Sequence, residues 1–175
     1  GFTKQGDGTL ILANNSNTYT GDTTIAAGLL SISHNNHLGN NTTGTAGKLI
    51  FDGGSLRTTG VVSSNHNTEI LKSSTVDTQA NLTLNGTVTG SNAYTFTKKG
   101  NGSLTLTGDN DGLYKSATNV TAGTLAVGHT NAMGGTTGGR VTLAADTILE
   151  TLNSSVANIS LSNAFTLNGT GIKVN

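Results

Sequence analysis

One stretch of eleven residues occurs twice in this chain, and that repetition limits the fold more than any other feature. Phe2-Thr3-Lys4-Gln5-Gly6-Asp7-Gly8-Thr9-Leu10-Ile11-Leu12 returns as Phe96-Thr97-Lys98-Lys99-Gly100-Asn101-Gly102-Ser103-Leu104-Thr105-Leu106, identical at seven positions. After a one-residue insertion the correspondence continues. Tyr19 falls on Tyr114, Ile25-Ala26-Ala27-Gly28 on Val120-Thr121-Ala122-Gly123, and His34 through Gly39 on His129 through Gly134. A further match joins Leu82-Thr83-Leu84-Asn85-Gly86 to Phe165-Thr166-Leu167-Asn168-Gly169. The 175 residues are thus expected to form one segment holding nearly two copies, about 2–95 and 96–175, the second shortened. Self-similarity over so long a period marks an architecture of stacked units.

Finer texture points to strands. Thr9–Leu12, Leu29–Ile32, Lys48–Phe51, Ser55–Arg57, Leu82–Leu84, Ser103–Thr107, Thr124–Val127, Arg140–Leu143, Thr147–Leu149, Ile159–Leu161 and Phe165–Leu167 place apolar residues at alternate positions. That is the pattern of short strands with one buried face. Turn formers separate them, as in Gly6-Asp7-Gly8 and Gly100-Asn101-Gly102. Gly, Thr, Asn and Ser supply 93 residues, a composition that disorder also uses, but Pro is absent and the 33% hydrophobic residues fall in alternating runs. An antiparallel sandwich asks for longer strands, hairpin dipeptides and more aromatic core than the 4% found here. Short strands filled by Leu, Ile and Val suit a narrow solenoid instead. The expected fold is all-β, a right-handed parallel β-helix. At about 20–25 residues per coil it has seven or eight coils and a length of roughly 35 Å.

Nine Lys plus Arg balance nine Asp plus Glu. Nucleic acid and anionic membrane need concentrated positive charge, so neither is expected as a partner. Cysteine is absent, leaving no disulfide framework and no thiolate metal site; a chain without cross-links also passes more readily through an export pore. No apolar run reaches the ~20 residues of a membrane span, so direct membrane insertion of this segment is not expected. The opening Gly1-Phe2-Thr3-Lys4 carries neither an initiating Met nor a signal peptide and reads as cut from a longer chain.

The repeated motifs carry a family resemblance. Lys4 to Leu12, then Asn17-Thr18-Tyr19-Thr20-Gly21-Asp22-Thr23, then Ala27-Gly28-Leu29-Leu30 are similar to the autotransporter-associated β-strand repeat. That repeat reads K-x-G-x-G-x-L-x-L, N-x-Y-x-G-x-T and A-G-x-L in order. Asn35-Asn36-His37-Leu38-Gly39 and Thr130-Asn131-Ala132-Met133-Gly134 resemble its N-A-L-G turn. The second copy departs at Leu113-Tyr114-Lys115-Ser116-Ala117-Thr118, where Tyr and Thr remain and the Gly is lost, which bears on the tight turn there. The resemblance implies a passenger of a Gram-negative type V secreted protein, exported to the cell surface, with an outer-membrane barrel C-terminal to it in the parent chain. It implies a stalk that supports folding during secretion and adhesion to a host-cell or neighbouring-cell surface protein or glycan. Separately, the open strand edges at the ends of such a helix lead to an expectation of rod–rod self-association.

A β-helical polysaccharide lyase or hydrolase is the rival reading. Such enzymes gather carboxylates on one face. Here seven Asp and two Glu are scattered, and Asp109-Asn110-Asp111-Gly112, the densest group, reads as a solvated turn. His34, His37, His129 and His66 read as exposed loop residues, too few for zinc. Tyr19 and Tyr114 read as turn-closing residues and not as sugar platforms. Lys4 and Lys98 read as lysines whose stems lie along the rod with the charge in water. No G-x-S-x-G elbow or phosphate loop is present. The sequence nominates no catalytic, cofactor-binding or metal residue, no cofactor, and no enzyme.

Overall fold

The computed structural model describes residues 1–40, 47–152 and 161–168, together with the backbone of Gly171–Val174. The chain winds in successive coils. The first two carry β1 (Phe2–Lys4) and β2 (Thr9–Ile11), then β3 (Thr23–Ile25) and β4 (Leu29–Ile32). Three-strand coils follow: β5 (Lys48–Asp52), β6 (Ser55–Thr58) and β7 (Val62–Ser64); β8 (Asn67–Lys72), β9 (Ser74–Thr78) and β10 (Leu82–Leu84); β11 (Val88–Gly90), β12 (Thr95–Lys99) and β13 (Ser103–Leu106). The last coils hold β14 (Ala117–Val120) and β15 (Thr124–Val127), β16 (Val141–Leu143) and β17 (Ile148–Thr151), then β18 (Phe165–Leu167) and β19 (Gly171–Val174).

Like strands stack into three sheets. The first has the order β1-β3-β5-β8-β11, the second β2-β4-β6-β9-β12-β14-β16-β18, and the third β7-β10-β13-β15-β17-β19. All pairings are parallel, as in Phe2 beside Thr23, Leu29 beside Ser55 and Leu82 beside Leu104. Parallel neighbours one coil apart exclude the sandwich, and the right-handed sense is that of nearly every parallel crossover. A coil takes from 19 residues, Lys48 to Asn67, to 26, Leu29 to Ser55. The eight strands of the second sheet mark about seven turns.

The expected strands appear, with ends shifted by a residue or two, except Ile159–Leu161: Ile159 and Ser160 lie outside the described residues, and Leu161 is in no strand. Alternation did not mark β1, β3, β7, β8, β9, β11, β12, β14 or β19. In five of those strands Thr23, Ser64, Thr68, Ser74, Thr78 and Thr118 occupy buried positions. Some buried hydroxyls bond to the neighbouring coil, Thr58 Oγ1 donating to Ala80 O at 2.6 Å and Thr78 Oγ1 to Gly102 O at 3.0 Å, and others bond locally, as Ser64 does with His66.

Columns of aliphatic residues run along the axis. On the third sheet Leu82, Leu104, Leu125 and Leu149 stack in register, beside Leu84, Leu106 and Val127. On the second, Leu30, Leu56 and Val76 lie below Lys98, with Val120 and Leu143 above it. Phe51 and Phe96 cross the interior edge to face, centroids 5.0 Å apart. Only surface ion pairs such as Lys48–Glu69 (3.1 Å) and Lys72–Asp52 (2.8 Å) decorate the outside, and exposed pairs of that kind contribute little.

The repeat and the coil do not share a period. β1 belongs to the first sheet, whereas β12, its counterpart in the second copy, belongs to the second. In the same way β2 and β13 lie on successive faces, as do β3 and β14, and β4 and β15. The second copy therefore begins four coils further along the axis and one face further round.

Leu104 sits in the middle of its column with no exposed surface. Leu104→Ala is expected to lower unfolding free energy by about 2–5 kcal/mol through the cavity it leaves. Guanidinium denaturation followed by circular dichroism measures this, and an unchanged midpoint would contradict the stacked column.

Candidate functional site

The residues that recur with the repeat meet at the corners between sheets. Lys4 ends β1 with its side chain turned inward and only 7% exposed; Lys98, in β12, is fully buried. Both ammonium groups serve the turn that follows. Lys4 Nζ donates to Gln5 O (2.8 Å) and Gly6 O (2.6 Å), and across to Ala27 O of the next coil (3.0 Å). Lys98 Nζ repeats this with Lys99 O (3.2 Å), Gly100 O (2.7 Å) and Ala122 O (2.9 Å). The lysine charges are therefore not in water, contrary to expectation. Burial pushes the Lys98 ammonium down to about 8, with the Asp77 carboxylate opposing the shift. Gly28 and Gly123 complete the joint at φ +64° and +71°. A Cβ would stand 2.5 Å from Gly8 O in one copy and 2.6 Å from Gly102 O in the other. The K-x-G-x-G and A-G motifs are thus the two halves of one inter-coil lock.

A second lock uses the tyrosines. Tyr19 and Tyr114 each share a hydrogen bond with a threonine four residues on, Thr23 and Thr118, at 2.7 Å. Tyr19 also donates to His37 O (3.0 Å), and burial raises the phenol pKa in both copies. Gly39 and Gly134, at φ +83° and +91°, lie directly over the tyrosine backbone one coil below. The turn at Ser116 closes without glycine, because the Ser116 hydroxyl donates to Ser91 O at 2.8 Å.

The histidines split into two kinds. His34 and His129 each accept a backbone N–H two residues on, at 3.2 and 3.1 Å, and shape the turn. His37 and His66 are buried, so the reading of all four as exposed loop residues is corrected. His37 Nδ1 accepts from Ser33 N (3.3 Å), which leaves Nε2 to donate to Asn15 Oδ1 (2.6 Å). His66 pairs with Ser64 Oγ (3.1 Å) and the backbone of Leu38. Burial lowers both pKa values, with His34 adding repulsion at His37. Ala132 fills the His37 position in the second copy, equally buried.

Asp109–Gly112 is only partly a solvated turn. Asn110 points inward and ties three coils: Val88 N donates to its Oδ1 and its Nδ2 donates to Ala132 O, both at 2.7 Å. Asp109 stays outside, accepting from Asn131 Nδ2 (2.9 Å), which lowers its pKa. Asp77 is the buried acid. Burial would raise it, but hydrogen bonds from Arg57 Nε (2.9 Å) and Gln79 Nε2 (2.7 Å) hold it below the usual carboxylate range. Among the described residues, no three of His, Cys, Asp or Glu stand together as a metal site.

One concave feature lies outside the locks. Asn15, Ser16, Asn17, Thr18, Asn36 and Asn40 line a groove of about 310 Å³ at the corner between β2 and β3. No sequence signal singled it out, since amides and hydroxyls are abundant throughout.

The family profile of the passenger-associated-transport-repeat matches residues 2–32 and 96–127, the two stretches that contain the lysine and tyrosine locks. These two stretches are copies of the autotransporter passenger-associated-transport-repeat. The chain is 39% identical over 131 residues, 74% of its length, to the adhesin BmaC autotransporter of Brucella suis biovar 1 (strain 1330). It spans 4% of that relative. No solved structure matches it. In both passenger repeats the matched residues end with the last residue of the strand that follows the A-G pair, so each match encloses one pair of locked coils.

Lys98→Met is expected to lower stability by about 1–3 kcal/mol, because three orphaned carbonyls outweigh relief of a buried charge. Urea denaturation of the two proteins tests this, and equal midpoints would dismiss the lysine lock. The buried histidines set a pH dependence. Unfolded imidazoles take protons near 6.5 and the folded ones resist, so stability is full above pH 6.5 and is lost as pH falls below it. His66→Gln should flatten that fall; a wild-type midpoint constant between neutral and mildly acidic pH would refute it.

Proposed function

We propose that this segment is a structural and adhesive passenger element. It is a rigid stalk outside a Gram-negative cell, joined in its parent chain to an outer-membrane barrel. The observation that carries the reading is the use made of the recurrent residues. The lysines and the positive-φ glycines lock one coil to the next, the tyrosine hydroxyls tie the turn to the threonine of the strand that follows, and both lysines and Tyr114 are buried in that work. A relative that matches three quarters of the chain is named an adhesin, which supports a surface role for the parent.

Export also follows from the way the locks form. Lys4 holds Ala27 of the next coil and Lys98 holds Ala122, so each coil completes the hydrogen bonding of its neighbour. A solenoid built from nearest-neighbour contacts folds by propagation, one coil on the last, as chain becomes available outside the membrane. Without cysteine or proline, neither disulfide exchange nor slow prolyl isomerisation delays that growth. Enzymatic activity is not part of the reading, because the recurrent Lys98 and Tyr114 are buried and held in hydrogen bonds of the joints.

The segment, placed between a signal peptide and an autotransporter barrel in a Gram-negative host, is expected at the cell surface as a protease-resistant rod. Replacing Lys4 and Lys98 together with Met should cut the resistant surface fraction several-fold. Display of the double variant at the parental level, equally resistant, would defeat the stalk reading.

A further inference from the structure

The groove at the β2–β3 corner is built from side chains the locks do not need. Its six lining residues are all neutral amides or hydroxyls. Two amides are held by short local bonds: Asn17 Nδ2 donates to Asn14 O (2.8 Å) and Asn36 Nδ2 to Asn15 O (3.0 Å). These bonds fix the amide planes. Their Oδ1 atoms and the Ser16 and Thr18 hydroxyls have no partner among the described residues. The result is a preset group of uncharged acceptors and donors around one hollow.

The second copy shows that this chemistry is not a requirement of the fold. Its equivalent corner closes by the same turn, Asp111 N donating to Asp109 Oδ1 (3.3 Å) as Ser16 N donates to Asn14 Oδ1 (3.0 Å). Inward Asn110 takes the place of Asn15, each bonded to the turn one coil above. Outward, however, Asn14, Ser16, Asn17, Thr18 and Asn40 become Asp109, Asp111, Gly112, Leu113 and Gly135. The locks are kept and the neutral lining is lost.

We infer that the groove of Asn15–Thr18, Asn36 and Asn40 is a binding site for an uncharged glycan. Hydroxyl groups of a sugar each donate and accept, and a paired display of amide and hydroxyl groups matches them in both roles. Among the described residues the lining has no cation for a sialic acid or sulfate and no apolar anchor for a peptide side chain. Its volume lies at the lower end of small-ligand sites, roughly 300–1,000 Å³. The assignment rests on the adhesive reading and names the class of surface molecule recognised.

Titration of the ¹⁵N-labelled segment with N-acetyllactosamine, maltotriose and chitotriose is the test, with sialyllactose as the acidic control. At least one neutral sugar should shift the side-chain amides of Asn17, Asn36 and Asn40. Transplanting the second corner, Asn14→Asp, Ser16→Asp, Asn17→Gly and Thr18→Leu together, should weaken binding at least about tenfold at unchanged melting temperature. The pair Ser16→Ala and Thr18→Val provides the same comparison should the fourfold variant not fold. Absence of shifts with every neutral sugar, equal binding of sialyllactose, or undiminished binding in the folded variants overturns the site. Cells displaying the segment that still attach to a surface after such a failure would leave the adhesive reading intact.

Discussion

Stacking of one coil on the next is the interaction on which every other property of this rod depends. It places Leu82, Leu104, Leu125 and Leu149 in one column and gives each strand interior parallel neighbours. Stacking also creates its own difficulty. Where the chain turns sharply between sheets, backbone carbonyls leave the ladder and would be buried without partners. The lysine ammonium resolves this, carrying three donors on a stem long enough to sit among Val76 and Val120. Desolvation of the charge is the cost, visible in the lowered proton affinity of Lys98.

Read in these terms, the family motif describes a joint and not a strand. K-x-G-x-G supplies an ammonium and a turn, and A-G supplies a carbonyl and room for that turn one coil later. The tyrosine and the glycine of the N-A-L-G turn form a similar pair, Tyr19 below Gly39 and Tyr114 below Gly134. Because the two copies are offset by four coils and one face, equivalent corners look out from different sides of the rod. A surface decorated at such corners presents its variable residues around the axis and not in a line.

Much of the fold was legible in the order of residues. Repetition and alternation with small aliphatics led to a parallel solenoid, and the family motifs were placed correctly. Several strands that escaped notice carry buried hydroxyls, such as Ser64, Thr68 and Ser74, where polarity hides burial; two others carry the buried lysines Lys4 and Lys98. The side chains most misjudged were Lys4, Lys98, His37 and His66, whose polar ends look like surface groups. Each also has a carbonyl or amide partner about a coil away, and no local pattern announces such a meeting.

By itself the sequence determined the parallel stacking, because a period-two pattern in short repeated strands buries its aliphatic face only when successive coils lie in register. It placed turns at Gly6-Asp7-Gly8 and Gly100-Asn101-Gly102 as well, where Gly6 and Gly100 take positive φ. Tertiary structure alone decided which polar groups go inside and which corner holds an open hollow. Those outcomes hang on atoms some 20 residues apart, and whether a charge or an amide is buried is settled by what lies across from it once the coils have closed.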